Sequence, residues 1–162
     1  MFSGFAATSD HSDTGNGANT LCLPSEPEFR PDVVAGLHDR ASKITSVEFE
    51  PESDFFRDKS LNNHDMTCAL CQTARNDVIM VPARRTCPRG WHVEYEGLLM
   101  ADWKTGHRSE YVCVSLDVEA IAGTRRNRDA GRWWVVEVTC VEGLPCDVYP
   151  EGYELSCVVC SK

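Results

Sequence analysis

A chain of 162 residues, 42% hydrophobic and 25% charged, has the make-up of one globular domain or two small ones. Its 25 acidic side chains outnumber 16 basic ones, for a net charge of -9, and this argues against a nucleic-acid partner, whose phosphates are held by Lys and Arg. No apolar run approaches the roughly 18 residues of a membrane span, so no membrane insertion is expected.

The N-terminal "MFSGFAATSDHSD" lacks the basic and apolar regions of a signal peptide. The following "SDHSDTGNG" is rich in oxygen ligands but fails the EF-hand pattern, because Leu21 stands where the bidentate Glu belongs, and it reads as a polar loop. Residues 24–43 are polar and insertion-tolerant, with "DVVAGLHDRAS" either a short helix or a long loop. "DVIMV", "EYVCV", "WWVVEV" and "ELSCVVC" are short, β-branched or aromatic, and bounded by turn residues, which predicts strands, and "TCALC" (67–71) is read as a strand from its echo in "SCVVC". "WHVEYEG" alternates Trp91, Val93 and Tyr95 against His92, Glu94 and Glu96, the period of a half-buried strand. His92, Glu94 and Glu96 would share its solvated face, and no nucleophile converges on them in sequence. Residues 117–132 form a second polar stretch, whose run Thr124-Arg125-Arg126-Asn127-Arg128 reads as a solvated loop. In "RWW", Trp133 and Trp134 fall on opposite strand faces; an exposed one beside Arg132 would suit glycan or protein contact.

The chain also repeats itself. "NNHDMTCALC" (62–71) aligns with "PEGYELSCVVC" (150–160), and "SVEFE" with "VVEVT", both at an offset of 89. Cys22 aligns with Cys113 at an offset of 91, and Gly4 with Gly97 at 93. Small drifts of this kind are what loop insertions produce. The order points to an all-β, disulfide-rich tandem duplication: a first subdomain at 1–71, a join at 72–86 and a second subdomain at 87–162. The second copy starts at Cys87, whose counterpart would precede Met1. The first copy is then N-terminally truncated and short of one cysteine, which accounts for the odd total of nine.

Nine cysteines in 162 residues are characteristic of oxidising compartments. Each C-x-x-C could be half a zinc site, a redox pair or two disulfide anchors. Residues three apart on a strand lie about 10 Å apart, beyond the roughly 7 Å that a disulfide spans, so strand cysteines must bond to other segments. Cys140 and Cys146 are both present in one copy and both absent from the other, where Pro51 and Arg57 stand, so they are expected to bond to each other.

The segments "GANTLCLPSEPE", "CALCQTARNDVIMVPARRTCPRGWHVEYEGLLM", "EYVCV" and "CVEGLPCDVYPEGYELSCVVCSK" together resemble the C-terminal non-collagenous region of spongin-type short-chain collagens and related secreted invertebrate proteins. The six-cysteine spacing of the second half more distantly resembles a subdomain of the type IV collagen non-collagenous domain. The resemblance implies the pairs Cys87–Cys160, Cys113–Cys157, Cys140–Cys146 and Cys22–Cys68, leaving Cys71 unpaired. It also implies an extracellular, non-enzymatic matrix or assembly module without a cofactor. Such a module acts by self-association, a trimer among the options, and by contacts with extracellular proteins or glycans. The chain departs from the family in having no Gly-X-Y repeat. The alternative is a soluble lectin-like or defence-related binding protein with no collagen segment. A signal peptide is expected to have been lost with the missing N-terminus.

Overall fold

The computed structural model describes residues 1–32, 36, 39–51 and 55–162. Of the segment "DVVAGLHDRAS" (32–42), expected as helix or loop, residues 33–35, 37 and 38 lie outside the described residues. Elsewhere the protein is all-β, with ten strands: β1 (Phe2–Thr8), β2 (Leu21–Pro24), β3 (Thr45–Glu50), β4 (His64–Asp65), β5 (Thr67–Leu70), β6 (Val78–Pro82), β7 (His92–Ala101), β8 (Val112–Ser115), β9 (Gly131–Val135) and β10 (Ser156–Ser161). They form one curled sheet in the order β2-β1-β3-β9-β7-β10-β6, with β4 on β3, β5 on β1 and β8 on β7.

The registers recur at the offsets read from the sequence. Gly4 lies opposite Pro24 and Cys68; Gly97 lies opposite Ser115 and Cys157. Ala7 pairs with Ser46, and Met100 with Val135. The turn before each C-x-x-C strand matches as well. The amide of Asn63 donates to Phe49 O and that of Gly152 to Val138 O, both at 2.9 Å. Both turn residues adopt positive φ (62° and 75°), which Asn tolerates and Gly adopts freely. A methyl group on Gly4 would stand 1.8 Å from Leu23 O, and one on Gly97 1.9 Å from Val114 O. Each glycine therefore lets a neighbouring backbone approach closely.

The halves meet through a parallel pairing of β3 with β9, from Val47 opposite Gly131 to Glu50 opposite Trp134. Around this seam sits the core, which includes Val47, Phe49, Met66, Met100, Val114 and Trp133, with Phe49 and Phe56 edge to face at 4.7 Å. The join expected at 72–86 holds β6, the strand expected from "DVIMV", which pairs with β10 from Cys157 to Ser161.

One strand departs from expectation. His92–Tyr95 is exposed on both faces, while Gly97–Met100 is buried on both. Alternating burial does not develop because β7 runs from the rim of the sheet into its centre. Its second part is flanked by β8 on one side and by β9 and β10 on the other.

Candidate functional site

Four disulfides staple the sheet: Cys22–Cys68, Cys87–Cys160, Cys113–Cys157 and Cys140–Cys146. They join the same cysteines that the resemblance pairs, and Cys71 is an exposed free thiol. Three of the four C-x-x-C sulfurs are bonded to other segments, so neither motif offers two thiolates to a metal or to a redox cycle. The two bridges at corresponding places, Cys22–Cys68 and Cys113–Cys157, have the same Cα–Cα distance of 5.7 Å. Each bridge of this kind is worth about 2–4 kcal/mol.

Beside Cys71 the curled sheet encloses an open groove of about 880 Å³. β1 and β2 supply Phe5 and Leu21, β5 supplies Ala69, β6 supplies Met80, and the second half supplies Tyr95 and Tyr111. Several of these apolar side chains are solvent-exposed. Tyr95 donates its hydroxyl to Cys113 O at 3.0 Å. Burial, and then the nearby Cys71, raise its phenol above the usual range.

A second cluster lies at the seam. Arg132 is only 4% exposed, which corrects the expectation of a surface arginine beside an exposed tryptophan. The side chain lies against Asp102 and the Trp103 ring instead of reaching solvent. Nε of Arg132 faces Asp102 and Nη1 faces Asp129, both at 3.7 Å, and the guanidinium lies 4.9 Å over the Trp103 ring. Trp103 in turn stacks on Trp134 at 6.1 Å. Trp133 packs in the core, Trp134 is half-buried, and Trp103 is the exposed ring, at 43%. Asp102 titrates above its ordinary value because it is buried, although Arg132 pulls the other way.

Sequence reasoning missed the carboxylates beneath this cluster. Glu48 is buried, and its Oε2 accepts from the amides of Arg128 and Asp129 at 2.9 Å. Its Oε1 is buried without a hydrogen-bond partner, as are Nε and Nη2 of Arg132 and Nε1 of Trp134. Burial, and next Glu48, push Glu50 up to about 7. The alternation in "SVEFE" gave no signal, because it cannot show that the backbone at Arg128 and Asp129 closes over Glu48.

The remaining candidates have structural partners. Glu94 binds Arg75 at 3.4 Å and accepts from the Ser161 hydroxyl; Glu96 faces Arg85 at 3.5 Å; His92 is exposed. In "SDHSDTGNG", Asp10 accepts from the Ser12 amide at 2.9 Å, and Asp13 from Asn16 at 2.6 Å. The basic run 124–128 uses its backbone to reach Asn63 and Glu48, with its arginine side chains exposed. Among the described residues, no group of three or more His, Cys, Asp or Glu is arranged to hold a metal ion. No helix among them is long and apolar enough to cross a membrane. Comparison with protein families, with curated proteins and with solved structures finds no match to this chain.

Proposed function

We propose that this protein is a secreted extracellular-matrix or assembly module, similar to the C-terminal non-collagenous domain of short-chain collagens. It acts without catalysis, by self-association and by contacts with extracellular proteins or glycans. One observation carries the reading: the two halves of the chain already associate through sheet edges, β3 on β9, and the join adds β6 to the edge of β10. A fold that joins its own similar parts edge to edge is suited to joining copies in the same way. Four disulfides fit an oxidising, extracellular setting. Light scattering on the oxidised chain over a wide concentration range tests the proposal. A mass that rises from 18.1 kDa to a defined multiple is expected; a monomer up to the solubility limit overturns it.

The second reading, a lectin-like or defence-related binding protein, draws on the exposed Trp103 ring, which packs against Arg132 and Trp134. Such a ring suits sugar stacking. Glycan-array binding that is lost in Trp103→Ala would favour it.

A further inference from the structure

The two C-x-x-C strands have matching inner neighbours and different outer ones. On the inner side, Cys68 lies opposite Gly4 and Cys157 opposite Gly97. On the outer side, β10 carries β6, from Cys157 opposite Pro82 to Ser161 opposite Val78, and Cys160 is bonded to Cys87. The outer side of β5 is different. The Thr67 amide donates to Glu119 O at 3.1 Å, and beyond it, among the described residues, no strand pairs with Cys68–Cys71.

Burial records the same contrast. Val158 and Cys160 are 0% exposed, whereas Leu70 is 54% exposed and Ala69 and Cys71 are also exposed. Proteins usually protect an open edge with a charge, a proline or a bulge. The run Cys68-Ala69-Leu70-Cys71 has neither charge nor proline, and the apolar groove opens beside it.

We propose that the outer edge of β5 is a docking site for an extended polypeptide strand that residues 1–162 do not themselves supply. The occupant has the chemistry of β6: an uncharged, β-branched and apolar strand antiparallel to β5, followed by a cysteine that bonds to Cys71. The occupied edge within the same molecule sets these requirements. There, Ile79 lies opposite Cys160 and Cys87 follows it by eight residues.

The covalent step is thiol–disulfide exchange. The Cys71 thiol loses its proton to solvent, and its sulfur attacks the incoming cysteine, which arrives as a mixed disulfide with glutathione. The new Sγ–Sγ bond forms as the old one breaks, and glutathione leaves as a thiolate that takes up a proton. No net oxidant is consumed.

This proposal deepens the assembly reading and rests on it for its purpose, but the two tests are separable. Labelling is read on each chain, so it can fail with self-association intact and succeed on a monomer. The probe is a peptide of residues 77–91 with Cys87 as its glutathione mixed disulfide. The comparison is a scrambled peptide with the cysteine at the same place. On the intact oxidised chain, the native-order peptide is expected to form one adduct, mapped to Cys71, at least tenfold faster than the scrambled one. A cysteine-free version (Cys87→Ser) should slow that labelling by occupying the edge, and Cys71→Ser should abolish the adduct. Equal rates for native and scrambled peptides, transfer of glutathione alone to Cys71, or a Cys71–Cys71 dimer formed in preference to the adduct would each overturn the proposal.

Discussion

Cys71, directly after β5, and Cys160, within β10, close the two C-x-x-C motifs, yet Cys160 is fully buried and bonded to Cys87 while Cys71 is an exposed thiol. The difference arises outside the strands themselves: β6 and the turn after it cover one cysteine and leave the other bare.

This contrast predicts unequal chemistry. One iodoacetamide equivalent should label the native chain, at Cys71, with the other eight sulfurs protected until reduction. Cys71→Ser should shift stability by less than about 0.5 kcal/mol, as surface changes do. Cys160→Ser should cost about 2–5 kcal/mol and expose Cys87 to the same reagent. Peptide mass mapping and urea denaturation check both statements.

Gly4→Ala and Gly97→Ala should both be severe, at or beyond the upper end of the roughly 1–3 kcal/mol of overpacking. In each case the added carbon would fall within 2 Å of a backbone carbonyl oxygen that cannot rotate away. Gly15→Ala, with no neighbouring atom within 4 Å, serves as the control. Equal denaturation midpoints for all three variants would contradict the close-approach argument.

Glu50 gives stability a pH dependence of definite sign. Its carboxyl is raised from 4.5 to about 7, first by burial and then by Glu48, with Arg132 opposing. Between those values the folded chain holds a proton that the unfolded chain has released. The contribution is therefore complete below about pH 4.5 and is lost as the pH rises through 7. Glu50→Gln should raise the melting temperature at pH 8 and leave it little changed at pH 4.5. An equal gain at both pH values would show that the effect is not protonation.

Removing Arg132 leaves Asp102 and Glu48 buried beside a lost cation. Arg132→Met should therefore cost about 3–5 kcal/mol, as expected when one partner of a buried ionic cluster is deleted. Asp102→Asn in the same chain should recover part of that loss, and the double-mutant cycle measures the coupling. Tryptophan fluorescence should change with Arg132→Met, because the guanidinium lies against Trp103.

The all-β class and most strands were legible because alternation, β-branching and turn residues are local signals. "TCALC", "EYVCV" and "ELSCVVC" became β5, β8 and β10. Two kinds of feature were not legible. "DVIMV" was legible as a strand, but its pairing with β10 was not, because nothing in "DVIMVP" names the strand on which it lies. The seam cluster was missed because burial of Glu48, Glu50 and Arg132 depends on the pairing of β3 with β9. Alternation describes one strand and says nothing about which element will cover its polar face. The exposed start of β7 has the same origin, since "WHVEYEG" promises a buried face that the rim of the sheet does not provide.

The parallel seam also governs the order of events during synthesis. Val47 pairs with Gly131, 84 residues further along the chain. During translation, Val47 and Phe49 emerge long before the strand that encloses them, and the amides that seat Glu48 come only with residues 128 and 129. Contacts this distant in sequence slow folding and prolong the exposure of apolar surface. The first half must therefore wait, with its strands partly uncovered, until nearly the whole chain has been made.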